Sequence, residues 1–282
     1  MDSITRIVSD FRNFTSENPM YLICSFVYYL ASVTFLFFQW WAFFLVAIIY
    51  IISMGIAFSS IGEWLMRTFN HTRRLETAQE KNFLRPLFRE VYNKAKAANP
   101  ELGQISLFVI DNMTVNACAM GRHTIAVTKG AISTFSEDEL KAILCHEIAH
   151  ILHYDTAATL YALVGNGIFM LLILPLKLLA SSMRDTRFGQ VVNGIFGALV
   201  AVFMFLMNIA MALDSREAER RADEYALKLG YGEEMVQALY LLEKINLGSE
   251  SSLIKRLIAS HPRLTARIER LEIKLGVQVE EE

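Results

Sequence analysis

Residues Ser136 to Asp155 read Ser-Glu-Asp-Glu-Leu-Lys-Ala-Ile-Leu-Cys-His-Glu-Ile-Ala-His-Ile-Leu-His-Tyr-Asp. Ser136 and Glu139 make a capping box, and Asp138 adds negative charge to the first turn. Leu140, Ile143, Leu144, Ile148 and Ile151 recur at helical spacing, so a helix beginning at Ser136 is predicted. Residues four apart stack on one helical face. His146 and His150 can therefore reach a single metal ion while Glu147, beside them, faces the water of that ion. This is the ligand spacing of zinc peptidases.

A catalytic zinc commonly takes three protein ligands and leaves a fourth position for water. His153 partly shares the face of His150, but three ligands from one continuous helix are hard to arrange tetrahedrally, and a helix-end role suits it better. The alternative lies far downstream, in Arg216-Glu217-Ala218-Glu219-Arg220-Arg221-Ala222-Asp223. Glu219 and Asp223 share a helical face, so one carboxylate can bind metal while the other holds a ligating imidazole by its second nitrogen. Cys145 points away from the ligand face and reads as a small apolar core residue.

Working outward, the hydrophobic content of 54% with only 20% charge is unlike an ordinary globular protein, and the excess is localised. No residue from Asn18 to Gly62 is charged, which suffices for two membrane-crossing helices, at about 20–38 and 40–58. Further uncharged runs predict spans at about 156–176 and 188–213. The third is more polar, with Gly165, Gly167 and Pro175, and suits a tilted or bundle-packed segment. The N-terminal apolar stretch is too long for a cleaved signal and has no small-residue cleavage site, so an uncleaved anchor is expected. Lys and Arg number 2, 11 and 11 in the segments before span one, between spans two and three, and after span four, against 0 and 3 on the other side. By the positive-inside rule both termini and the middle segment face the cytoplasm.

A net charge of −2 and the absence of a basic patch with interleaved aromatics argue against nucleic acid as a partner. The odd trio Cys24, Cys118 and Cys145 argues for reduced thiols rather than a disulfide framework. Between the spans, Leu75 to Asn99 reads as helix, with Pro86 a kink or restart. Ile105 to Ile110 and Thr124 to Val127 read as strands, Asn116 to Met120 as an edge strand, and Asp111-Asn112 and Lys129-Gly130 as turns. A helix runs from Asp214 to Leu229 and ends at Gly230, with more helices within 233–245, 251–258 and 263–275.

Taken together, His146-Glu147-Ile148-Ala149-His150 closing at Asp155, the element Glu219 to Asp223, Asn116-Ala117-Cys118-Ala119 ahead of them, and His261-Pro262 with Arg267 resemble the HtpX family of membrane zinc endopeptidases. Order and spacing match over most of the chain. The resemblance implies Glu219 as third zinc ligand, Asp223 and Arg267 as residues behind the ligands, one Zn2+ per chain, and Asn116 to Ala119 as a substrate-binding edge strand. It also implies an oxyanion-binding role for His261, which from sequence alone equally reads as a cap for the helix begun by Pro262. Glu147 is then the general base and acid.

The expected fold is α+β and mostly helical: a four-span membrane bundle with a cytoplasmic zincin-like catalytic domain containing a small sheet. Its parts are a membrane hairpin (1–62), a catalytic part (63–155), a second hairpin (156–213) and a second catalytic part (214–282). His150 lies six residues before the third span and Glu219 six after the fourth, so the metal is expected within about 10 Å of the membrane boundary. The family implies quality-control cleavage of misfolded or surplus membrane proteins and of unfolded polypeptide, at a bacterial inner membrane, with the lipid bilayer and other membrane-protease or quality-control proteins as partners. The rival readings are a prenyl-CAAX-type membrane protease, which has more spans, and a metal-binding membrane scaffold without turnover.

Overall fold

The computed structural model describes residues 3–17, 40–160, 190, 216–248 and 264–276. The chain divides into two compact units, one formed by Met1–Met66 and Ala157–Asp214, the other by Arg67–Thr156 and Ser215–Glu282.

In the first unit, α1 (Ser3–Glu17) buries Phe14, and Phe11 and Phe14 stand 5.9 and 5.4 Å from the ring of Phe58. Helix α2 (Trp40–Ala57) carries no charge. It buries Ser53, Met54 and Ala57 but leaves Phe44, Ile48, Ile51 and Ile52 each more than half exposed, an apolar stripe at helical spacing. Its 18 residues rise about 27 Å, short of the roughly 30 Å hydrocarbon core. No single helix among the described residues is long and apolar enough to cross a membrane, although Ala47–Ala57 and α3 (Ser60–Phe69), bent by 71°, pass that test together. The second expected span corresponds to α2. The span expected at 20–38 and most of those expected at 156–176 and 188–213 lie outside the described residues.

The second unit is built on a four-stranded mixed sheet. Its elements in chain order are β1 (Thr72–Arg74), α4 (Ala78–Ala98), β2 (Ser106–Ile110), β3 (Ala117–Met120), β4 (Thr124–Thr128), α5 (Lys129–Thr134) and α6 (Glu137–Leu152). Then come α7 (Asp155–Leu160), which leaves this unit after Thr156, α8 (residues 216–228), α9 (Gly232–Gly248) and α10 (Leu264–Leu275). The strands lie in the order β1-β2-β4-β3: β1 runs antiparallel to β2, β2 parallel to β4, and β3 antiparallel to β4. β3 is an outer strand, as its sequence predicts.

Two boundaries differ from expectation, each because a local cap outweighs the apolar pattern. Helix α4 starts at Ala78 rather than Leu75, because Thr77 and Glu80 form a capping box; it then continues through Pro86. Lys129-Gly130 is the first turn of α5 rather than a loop, since the Thr128 side chain accepts from Ala131 N–H. β1 has no apolar alternation to announce it. It is held by its ladder to β2 and by Arg73, whose guanidinium bonds both Glu80 and Asp111.

Helix α6 is the centre of the unit. Ser136 and Glu139 form the expected capping box, and Leu140, Leu144 and Ile148 are fully buried. α6 packs against α4, α9, β3 and β4, and α9 packs against α10. Leu84, Val91, Val109, Ile125, Leu239 and Leu271 close the core around it, each burial worth roughly 1.5–3 kcal/mol. Helix α8 ends where Gly230 turns to φ 78, with Gly230 N–H bonded to Leu227 O and Tyr231 N–H to Ala226 O, a Schellman stop.

Candidate active site

Because the second half of α6 is enclosed by other elements, its polar residues His146 and Glu147 are buried. The two imidazoles converge: His146 Nε2 and His150 Nε2 are 3.1 Å apart, with rings at 87°. Helix α8 brings a carboxylate to the same point. Glu219 Oε2 lies 3.4 Å from His146 Nε2, and Oε1 lies 3.5 Å from His150 Nε2. The ligand atoms of these three residues all lie within 4.8 Å of one another, and they could hold a metal ion.

The residues fit a zinc ion on two counts. Bonds of about 2.0–2.1 Å in a tetrahedral site put neighbouring ligand atoms about 3.3–3.4 Å apart. The imidazole nitrogens at 3.1 Å come near that spacing, and each has one Glu219 oxygen at 3.4 or 3.5 Å, so the carboxylate stands within reach of an ion held between them. The electrostatics agree. Burial alone would depress both histidines, yet the carboxylates around them outweigh it: Asp223 and Glu219 raise the pKa of His146, and Asp155 and Glu219 raise that of His150, to about 10. The pocket therefore favours positive charge at the imidazole nitrogens.

The second ring nitrogen of each histidine faces a carboxylate, which in His150 accepts a hydrogen bond and in His146 is close without hydrogen-bond geometry. His146 Nδ1 lies 3.1 Å from Asp223, and His150 Nδ1 lies 2.9 Å from Asp155. Asp223 is itself gripped by Arg267 through Nε (2.8 Å) and Nη2 (2.6 Å), while Arg267 Nη1 lies 2.6 Å from Glu219. Burial works against ionised Asp223, but His146 and Arg267 overcome it and hold its pKa below the usual carboxylate range. Asp155 receives a second bond, 2.9 Å from Arg221 Nη2.

Asp155 reaches His150 because the chain reverses after α6. His153 caps that helix, and Tyr154 takes φ 61, a left-handed conformation costing roughly 1–2 kcal/mol for a side chain of its kind. The Arg122 guanidinium lies 4.5 Å over the Tyr154 ring, and Thr156 Oγ1 donates to Gly121 O, so the reversal is tied to the β3–β4 turn.

Glu147 lies beside the three candidate ligands, on the side of β3. Its Oε2 accepts from the backbone N–H of Ala119 at 2.8 Å. Asn116 and Thr128 exchange backbone and side-chain bonds at the start of β3, so Asn116 is anchored to β4. Even-numbered residues thus face β4, and the backbone groups of Ala117 and Ala119 point out from the sheet. Cys118 is partly buried and its pKa is pushed up to about 12, by burial first and Glu147 second; in Cys145 burial does the same. Neither thiol is poised to react.

A family model described as peptidase family M48 matches residues 78–274, a stretch that holds every one of these residues. The chain belongs to peptidase family M48. A protease HtpX homolog from Nitrosomonas eutropha is 30% identical over 207 residues, covering 66% of this chain and 70% of that protein. Protease HtpX from Vibrio parahaemolyticus is 28% identical over 198 residues, covering 61% and 67%. These place the M48 chain in the HtpX family and identify it as a metalloprotease. The crystal structure of S. mikatae Ste24p has a similar fold, with a TM-score of 0.51 at 24% identity over 94% of this chain; the chain spans 65% of the length of that structure.

Of the sequence-derived site residues, the fold gathers His146, Glu147, His150, Glu219, Asp223, Arg267 and Ala119 at one place, with Asn116, Ala117 and Cys118 leading to it along β3. His261 lies outside the described residues. The grip of Arg221 on Asp155 and the bond from Ala119 N–H to Glu147 carry no sequence signal, because both are tertiary. Asp155 enters the sequence reading only as the end of the motif that carries the resemblance, with no role assigned; its bond to His150 is first seen in the structure.

Proposed function

We propose that this metalloprotease holds one zinc ion on His146, His150 and Glu219 and cleaves peptide bonds within misfolded or surplus membrane proteins and unfolded polypeptides. The convergence of those three side chains, with Glu147 adjacent, carries the reading. Bound zinc would supply a Lewis acid for the scissile carbonyl and acidify water at neutral pH. Glu147 takes the proton of the attacking water and passes it to the leaving amine. With Oε2 held by Ala119 N–H, its other oxygen is the one that moves the proton. An extended peptide adds to the outer edge of β3 through the backbone of Ala117 and the carbonyl of Ala119, a mode that reads sequence only loosely. His261 is assigned the oxyanion on the strength of the family pattern alone.

The same reading puts the chain in a bacterial inner membrane through four spans, at about 20–38, 40–58, 156–176 and 188–213, with the hairpins 1–62 and 156–213 in the bilayer and 63–155 and 214–282 in the cytoplasm. The exposed apolar stripe of α2 and the distribution of Lys and Arg support it. Other quality-control proteins are its expected partners. The test is to purify the chain under chelation, restore zinc, and compare wild type with Glu147→Gln and Glu219→Ala on an unfolded protein. Proteolysis retained by Glu147→Gln would sink the mechanism, and zinc binding unchanged in Glu219→Ala would remove the third ligand.

A further inference from the structure

On the second unit, away from the catalytic residues, a cavity of about 490 Å³ opens where β1 ends beside β2 and the start of α4. Three cations line it, Arg74, Lys81 and Arg85, and no acidic residue does. None of the three makes an ion pair among the described residues, whereas their neighbour Arg73 is fully engaged by Glu80 and Asp111. The remaining wall is apolar, from Leu75, Phe88 and Phe108.

The cavity follows from the register. β1 pairs with β2 only as far as Arg74 opposite Phe108, so Ser106 and Leu107 extend past the end of β1 and leave a notch. Ser106 gives its N–H to His123 O on the β4 side at 2.7 Å, so strand alternation turns the amide of Leu107 toward the notch. Three cations and a backbone donor above an apolar wall match a phosphate attached to a hydrocarbon body. Only eleven residues separate Arg74 from the end of the uncharged run at Gly62.

We propose that this cavity binds the headgroup phosphate of an anionic phospholipid, with the first carbons of its chains against Phe88 and Phe108. The assignment rests on the membrane-bound reading above and gives the bilayer a specific contact on the catalytic unit. Clusters of Lys and Arg near a membrane surface recognise anionic lipid in this way.

The test uses the full chain in nonionic detergent and a fluorescent short-chain phosphatidylglycerol, read by anisotropy, with phosphatidylcholine of the same chain length and inorganic phosphate as competitors. Wild type should bind one phosphatidylglycerol, with phosphatidylcholine and phosphate competing poorly. The combined variant Arg74→Gln, Lys81→Gln, Arg85→Gln should bind about a hundredfold more weakly, about fivefold per cation. Arg74→Lys with Arg85→Lys should retain binding. Proteolysis of a soluble unfolded protein should be unchanged in the triple variant, which shows that it folds. Undiminished binding in the triple variant, or displacement by phosphate as effective as by phosphatidylglycerol, overturns the assignment. Since binding is read without turnover, failure of the peptidase reading would leave it standing. A chain that stays soluble without detergent would defeat the membrane reading separately.

Discussion

The backbone N–H of Ala119, on the outer strand, donates to Oε2 of Glu147 at 2.8 Å, so the edge offered to a peptide and the proposed proton carrier are mechanically joined. Strand pairing does not use this N–H, because Ala119 faces away from β4. Ala119→Pro therefore removes the bond to Glu147 without breaking the ladder, a place where an edge strand tolerates proline. Turnover of an unfolded protein should fall about ten- to a hundredfold while bound zinc stays at one per chain. An unchanged kcat would show that Glu147 needs no such anchor.

Asp155 bonds the far nitrogen of His150, and Asp223 lies 3.1 Å from that of His146. Asp155→Asn and Asp223→Asn should each weaken zinc binding by about ten- to a hundredfold, measured by competition with a chromophoric chelator. Glu219→Ala, which removes a ligand outright, should weaken it further. An Asp155→Asn protein with wild-type zinc affinity would reduce that bond to a structural one.

How far these features were legible in the sequence depends on how local their causes are. α6 was readable because its cap, its apolar period and its two histidines lie within sixteen residues. β1 was not, since Thr72, Arg73 and Arg74 show no alternation and pair only because β2 and the Glu80 and Asp111 carboxylates are there to receive them. Glu219 follows His146 by 73 positions, a separation no period can bridge; its shared face with Asp223 made the pair candidates, and the family pattern chose between them. The Asp155 to His150 bond depends on Tyr154 adopting φ 61, which propensity argues against for an aromatic residue.

Arg267 is buried between two carboxylates, hydrogen-bonded twice to Asp223 and ion-paired with Glu219 at 2.6 Å. Arg267→Met leaves both acids without their cation, and breaking a buried pair in this way costs roughly 3–5 kcal/mol. The metal-free protein should therefore show a strongly lowered Tm. Zinc, which supplies positive charge to Glu219 and to the imidazole beside Asp223, should restore part of the loss. The ratio of zinc-induced Tm rise in Arg267→Met to that in wild type should exceed one; a ratio at or below one would mean that Arg267 acts by packing alone.

Acid should loosen the junction of β1 with α4 before it reaches the core. Arg73 bonds the Glu80 carboxylate, which also caps α4 through the N–H groups of Glu76 and Thr77, and together these lower its pKa from 4.5 to about 2. Because the folded value lies below the unfolded one, the contribution is complete above about pH 4.5 and disappears as pH falls toward 2. Solvent screens part of it, so Glu80→Gln should cost roughly 1–2 kcal/mol at pH 7. Tm measured in parallel for wild type and Glu80→Gln should differ by several degrees at neutral pH and converge near pH 2. Two curves that run parallel from pH 7 to pH 2 would show that Glu80 stabilises this junction through its packing and not through its charge.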